Sequence, residues 1–145
     1  MIGEARSSTT HPRIALRGII AVMNTPFCDT GAIDYDALAA HARYALEAGV
    51  VGFLAPALAG EGGKLTPEER GAVVQTLLDA AAGNVPIIGC ATATSDEERI
   101  AMAERMSRQG CAGILASVPF ENDADYRSKV RQLARAVSGF IMLQD

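Results

Sequence analysis

Five short runs of apolar residues mark the chain, and a helical pattern of apolar positions lies between each successive pair. The runs cover residues 18–27, 51–57, 85–92, 113–119 and 139–144. Within each run the apolar residues follow one another and do not alternate with polar ones, which is typical of parallel strands buried on both faces. The pattern therefore predicts five parallel strands.

Between the runs, apolar residues recur at intervals of three and four, which predicts four amphipathic helices. The second helix shows this clearly, with Val73, Leu77 and Ala81 on one face. The segment TPEE at 66–69 has the residues of a capping box with a proline at the first helical position, and SDEE at 95–98 repeats the box without the proline. The predicted order of elements is βαβαβαβαβ.

Two α/β architectures fit this order. The N-terminal half of a TIM (βα)8 barrel would place five parallel strands in the order 1-2-3-4-5 with four helices outside, whereas a five-stranded, flavodoxin-like doubly wound sheet would use 2-1-3-4-5. Both bind ligands at the carboxyl ends of the strands, and periodicity leaves both open. Residues 1–17 are predicted to be a loose N-terminal lead-in, and residues 18–145 a partial-barrel domain.

Composition narrows the function classes. The 145 residues carry a net charge of −4 and are 49% apolar, which describes a soluble protein of one domain. Lys and Arg do not cluster, so nucleic-acid binding is not expected, and the apolar runs are too short to span a membrane. The N-terminus has no apolar core typical of a secretion signal, so a cytoplasmic location is expected. The three cysteines and two histidines share no metal-ligand spacing, so no metal site is expected.

A glycine-rich segment, GEGGK at 60–64, follows the second predicted strand and raises the possibility of a phosphate-binding loop. A P-loop needs a glycine five residues before Gly63 and a Ser or Thr after the lysine. Leu58 and Leu65 occupy those two positions, so the segment is not a P-loop. Leu65 also stands where GxGxxG requires its third glycine.

Three motifs together resemble a known family. GIIAVMNTPFCDTGAID near the first strand, GVVGFLAPALAGEGGKLTPEER around the second, and the third and fourth units up to VPF are similar, in this order, to the dihydrodipicolinate synthase and N-acetylneuraminate lyase family. FIMLQD resembles its fifth strand. The resemblance implies a TIM barrel of about twice this length and a class I aldolase or lyase. It also implies pyruvate, or a related 2-oxo acid, bound as a Schiff base on a lysine, no cofactor, and a homo-oligomer.

The resemblance also shows where this chain departs from the family. The family lysine belongs at the end of the sixth strand, whereas this chain stops at the fifth. Lys64 lies in a loop, where it is expected to be solvated, and Lys129 is expected on the solvated flank of the fourth helix. The resemblance therefore implies that the chain carries no catalytic residue of its own.

The family's substrate contacts map onto different side chains here. The Thr-Thr pair that binds the substrate carboxylate corresponds to Leu58 and Ala59, and the family tyrosine falls at Glu121. Gly60 and Glu61 match the family's Gly-Glu turn, in which glycine lets the backbone approach the ligand and a buried glutamate would brace neighbouring loops. Residues 58–61 are the predicted substrate-binding segment.

The function expected from these observations is a Schiff-base lyase or aldolase of this family, truncated before the catalytic lysine. The alternatives are a non-catalytic or split half-barrel that needs a partner chain, or a small flavodoxin-like binding domain. A half-barrel would leave two sheet edges open, so self-association through those edges is also expected.

Overall fold

The computed structural model describes residues 16–144. Its strands are β1 (Ile20–Val22), β2 (Gly52–Ala55), β3 (Ile87–Cys90), β4 (Gly113–Ser117) and β5 (Phe140–Gln144). Its α-helices are α1 (Tyr35–Glu47), α2 (Pro67–Ala81), α3 (Asp96–Gln109) and α4 (Asp123–Ala136). Of the predicted lead-in, only Leu16 and Arg17 lie within the described residues.

The five strands form one parallel sheet in the order β1-β2-β3-β4-β5. Each strand pairs with its neighbour in the chain; Leu54, for example, lies opposite Ile88, and Leu115 lies opposite Met142. This order confirms the half-barrel prediction. It also shows that the flavodoxin-like alternative is wrong, because that sheet would place β1 between β2 and β3.

The two faces of the sheet are covered differently. A large buried cluster joins one face to all four α-helices, through residues such as Leu38, Leu77, Met106 and Leu133. The other face carries a smaller cluster centred on Ile88, built within residues 16–144 from strand and loop residues without any from the helices. A doubly wound sheet has helices on both faces. Helices on one face alone are the arrangement of a barrel wall, and the second face is called the inner face below.

The predicted helix caps are present with one difference. At α2, the Thr66 hydroxyl accepts a hydrogen bond from the Glu69 N–H at 3.2 Å, and the Glu69 carboxylate accepts one from the Thr66 N–H at 2.8 Å. At α3, the Ser95 hydroxyl accepts from the Glu98 N–H, but the Glu98 carboxylate accepts from the Thr94 hydroxyl. The second capping box is therefore only half formed.

The first strand is much shorter than the predicted run of residues 18–27. Beyond Met23 the chain leaves the sheet and folds into a loop closed by an antiparallel bridge between Phe27 and Ile33. Pro26 has no N–H to donate to a strand ladder, which explains why the run cannot continue as a strand. β1 and β5 are the two edges of the described sheet, and Ile19, Val22 and Leu143 are exposed there at 72%, 48% and 41%.

Candidate functional site

The loops that follow the strands all lie at the carboxyl edge of the sheet, called the rim below. Parallel strands bring these ends together, and this is where ligands bind in βα barrels. The rim loops are residues 23–34, 56–66, 91–95 and 118–122. The predicted substrate-binding segment and Glu121 belong to two of them.

The segment after β2 forms two short 3-10 turns, Leu58–Gly60 and Gly62–Lys64. The Ala57 carbonyl accepts hydrogen bonds from the N–H groups of Gly60, at 3.0 Å, and of Gly62, at 2.9 Å. A Cβ on Gly60 would collide with the Met23 carbonyl oxygen, because the two backbones touch there. Glycine is therefore needed at position 60 for close packing of the turn against the β1 loop.

A side chain also joins these two loops. Thr25 is 8% exposed, and its hydroxyl donates a 2.7 Å hydrogen bond to the Gly60 carbonyl. Thr25 therefore holds the Gly60 turn against the loop that follows β1. This role was not predicted from the sequence. The signal for it was the pair of polar residues, Asn24 and Thr25, between Met23 and Pro26 within the first apolar run.

The predicted site residues of this turn lie at its surface, except for Gly60. Leu58 is 81% exposed, Ala59 is exposed, and Gly60 is buried. The prediction for Glu61 as a buried brace is wrong. Glu61 adopts a left-handed backbone conformation with φ of 61°, which turns its side chain outward to an exposed ion pair with Lys64 at 3.2 Å. Lys64 is solvated as predicted.

Glu121, which the resemblance predicts at the position of the family tyrosine, belongs to a group of charged side chains on the rim. Its carboxylate lies 3.5 Å from the Lys129 ammonium, which also lies 2.7 Å from Asp125 and 3.7 Å from Asp96. The prediction of a solvated Lys129 is therefore wrong: its side chain is only 15% exposed. Carboxylates from α3, α4 and the loop before α4 converge on it.

This environment makes Lys129 a poor amine nucleophile. The hydrogen bond to Asp125, opposed in part by burial and reinforced by the charges of Asp125, Asp96 and Glu121, raises the pKa of Lys129 above its ordinary value. A Schiff-base lysine needs the opposite shift, because only the neutral amine attacks a carbonyl. Lys129 instead ties the β4–α4 loop to two helices.

Two arginines hold the loop between β3 and α3. Arg70 on α2 donates to the Thr92 carbonyl at 3.0 Å and to the Leu65 carbonyl at 3.3 Å. Arg99 on α3 is 4% exposed, pairs with Asp96 and donates to the Ala93 carbonyl at 3.2 Å. Neither role was predicted from the sequence, since the loop contacts of both arginines are with backbone carbonyls, which carry no side-chain signal.

Two further findings concern the described residues as a whole. Between residues 16 and 144, no three His, Cys, Asp or Glu side chains are grouped so that they could hold a metal ion. None of the helices described there is long and apolar enough to cross a membrane.

Comparison with known proteins identifies the family. The sequence model of the dihydrodipicolinate synthetase family matches residues 15–137. The chain belongs to this family. The match covers four of the five described strands and all four rim loops. The family resemblance of the sequence motifs is thereby confirmed.

Curated relatives of the family match over part of their length. An uncharacterized DapA-like lyase of Halobacterium salinarum is 32% identical over 125 residues, which is 86% of this chain and 41% of that protein. The 4-hydroxy-tetrahydrodipicolinate synthase of Brucella suis is 30% identical over 122 residues, covering 84% and 42%. The chain therefore spans about two fifths of the length of these relatives.

Solved structures of the family share the fold. A prophage protein of the dihydrodipicolinic acid synthase family from Escherichia coli K12, in complex with pyruvate, matches with a TM-score of 0.82 and 27% identity, over 90% of this chain and 45% of that one. Dihydrodipicolinate synthase from Aquifex aeolicus matches with a TM-score of 0.79 and 26% identity, over 87% and 44%. The described sheet and helices thus correspond to the N-terminal half of a dihydrodipicolinate synthetase family barrel.

Proposed function

We propose that this chain forms the N-terminal half of a class I Schiff-base lyase or aldolase that acts on pyruvate or a related 2-oxo acid. The observation that carries this proposal is the half-barrel itself, which matches a pyruvate-bound family member with a TM-score of 0.82. The rim would form one wall of the substrate site. In this proposal, residues 18–145 are the partial-barrel domain and residues 1–17 its lead-in.

The proposed substrate-binding segment is residues 58–61. The role proposed for the buried Gly60 rests on two contacts, its close packing against the β1 loop and the hydrogen bond from Thr25. Together they fix the backbone near the site. Leu58 and Ala59 would form an apolar edge in place of the family's two hydroxyls. Glu61 would act through its backbone, since its side chain faces solvent and Lys64.

The Schiff-base lysine would come from a later part of the barrel. Lys64 lies in an exposed turn, and Lys129 is held by three carboxylates with a raised pKa. Neither has the desolvated, uncharged surroundings that a nucleophilic amine needs. We therefore expect pyruvate and borohydride to leave the 145-residue chain unmodified, as measured by intact-mass spectrometry.

A chimera tests the proposal directly. Residues 18–144 would replace the corresponding N-terminal part of the Brucella suis 4-hydroxy-tetrahydrodipicolinate synthase, followed by incubation with pyruvate and borohydride. The proposal predicts a reduced pyruvate adduct on a lysine of the donated C-terminal part, and none when that lysine is replaced by arginine. Circular dichroism would verify that each chimera is folded. A folded chimera without the adduct, or an adduct on Lys64 or Lys129, would overturn the proposal.

We further propose that the 145-residue chain associates with a second copy in solution through its open sheet edges, and that it works in the cytoplasm. The exposed apolar residues Ile19 and Val22 beside β1, and Leu143 on β5, support the first part. The free thiols Cys28, Cys90 and Cys111 suit a reducing compartment and support the second. A split half-barrel that needs a partner is the alternative that the same edges favour.

A further inference from the structure

On the inner face, the side chains change from apolar to polar at the rim. The pairing register places Cys90, Leu115 and Met142 in one row across three adjacent strands. Two residues further along the chain from each come Thr92, which lies just beyond the end of β3, and Ser117 and Gln144, which are direct pairing partners. These three residues are called the polar row below.

The orientation of the polar row follows from its neighbours. Leu115 belongs to the inner cluster and Met142 packs against it, and side chains two apart on a strand share a face. Ser117 and Gln144 therefore face the same side as these residues. The Thr92 hydroxyl lies 3.3 Å from the sulfur of Cys90, another inner-cluster residue, which places it on that side as well.

The polar row is both held in place and open to a ligand. The Thr92 carbonyl accepts a hydrogen bond from Arg70 on α2, while the Thr92 hydroxyl lies next to Cys90 on the inner face. Ser117 sits within the regular pairing of β4 and is half-buried. Thr92 and Gln144 are exposed, so solvent reaches the row from the rim.

The polar row supplies the side-chain hydrogen-bond donors that Leu58 and Ala59 in the turn after β2 lack. Leu58 and Ala59 offer no side-chain donor, whereas Thr92 and Ser117 offer hydroxyls and Gln144 an amide, all able to donate to an anion. Neighbouring strands lie about 4.8 Å apart, so a small carboxylate can reach side chains on two of them at once. The apolar row beneath lowers the local dielectric and strengthens such bonds.

We propose that Thr92, Ser117 and Gln144 bind the carboxylate of the 2-oxo acid in this chain. The inference rests on the proposed function, and it moves the carboxylate cradle from the turn after β2 to the ends of β3, β4 and β5. It makes these three residues the determinants of selectivity for a free acid over an uncharged analogue. Leu58 and Ala59 would then contact an apolar part of the substrate.

The test compares pyruvate with methyl pyruvate, which keeps the ketone but has no free carboxylate, by saturation-transfer NMR titration on the 145-residue chain. Thr92→Val and Ser117→Ala are each expected to weaken pyruvate binding about 10-fold, the lower end for losing a donor to a charged group. Methyl pyruvate binding should stay unchanged. Thr94→Val and Ser128→Ala, which remove similar hydroxyls whose bonds are to Glu98 and Gln132, serve as matched controls.

The remaining outcomes overturn the inference in different ways. Equal weakening of both ligands would show that Thr92 and Ser117 act on the structure of the rim and do not bind the carboxylate. Unchanged pyruvate binding in the variants would place the carboxylate elsewhere, and no pyruvate binding to the parent chain would contradict the inference. The lysine adduct of the chimera is a separate readout, so any of these results can stand while the lyase proposal survives.

Discussion

The helix-covered face and the inner face of the sheet are made by the same strands but are built in different ways. On the helix side, twenty buried residues from strands, loops and all four α-helices form one cluster. On the inner side, the buried cluster has five residues, Leu54, Ala57, Ile88, Cys90 and Leu115, and is bordered by half-buried side chains such as Phe140 and Met142. The difference indicates that most of the buried apolar core described between residues 16 and 144 lies on the helix side.

The largest expected effect comes from deleting a large side chain on each face. Leu77 on α2 is 0% exposed within the helix-side cluster, so Leu77→Ala should cost about 2–5 kcal/mol of unfolding free energy. Met142→Ala, on the half-buried border of the inner cluster, should cost clearly less, about 1 kcal/mol. Urea unfolding at one fixed protein concentration measures both. Equal losses would show that the two faces contribute alike and would break the comparison.

Two glycine variants test how the turn after β2 is held against the β1 loop. Gly60→Ala places a methyl group against the Met23 carbonyl, which must move, at a cost of about 1–3 kcal/mol. Gly63→Ala is the matched control in the same segment, because a Cβ there meets nothing within 4 Å. Thermal unfolding of the two variants is the measurement. A Gly60→Ala variant as stable as Gly63→Ala would mean that backbone packing does not fix this turn.

A further effect on the helix side should appear only at alkaline pH. Burial raises the pKa of the Cys111 thiol to about 12, against an ordinary value of 9.0. Because the folded thiol keeps its proton where the unfolded one loses it, the stability from this group is complete below pH 9 and falls between pH 9 and 12. The slope is at most about 1.4 kcal/mol per pH unit.

The matched variants for this pH effect come from the two faces. Cys111→Ala should flatten the fall of thermal stability from pH 9 upward, whereas Cys90→Ala, on the inner side, should leave it in place. Lys129 adds a second loss at alkaline pH: because its pKa is raised in the folded protein, the stability it contributes is fully present below the ordinary lysine pKa and is lost as the pH rises through the raised value. A Cys111→Ala curve parallel to that of the parent would contradict the assignment.

The sequence predicted the parts of the fold that depend on local pattern. Each of the five apolar runs contains a strand. Thr66 and Ser95 cap helices because their hydroxyls accept hydrogen bonds from the backbone N–H groups three residues later. The strand order came from the motif resemblance, since periodicity alone fits a doubly wound sheet equally well.

The candidate site was harder to predict, because its contacts join distant parts of the chain. The helical pattern placed Lys129 on a solvated flank, but Asp96 on the neighbouring helix and Glu121 on the preceding loop enclose it. Glu61 was expected to be buried, and a left-handed backbone angle turned it outward. The bond between Thr25 and Gly60 spans two loops and has no local signature.

The association state of the 145-residue chain tests most directly the proposal that its open sheet edges pair with a second copy. Light scattering after size exclusion, at micromolar concentration, should show dimers or larger species. A variant with Val22→Lys and Leu143→Lys, which places charges on both edges, should shift the chain toward monomer. A monodisperse monomer of the parent chain, unchanged by the two substitutions, would contradict the account of an open half-barrel.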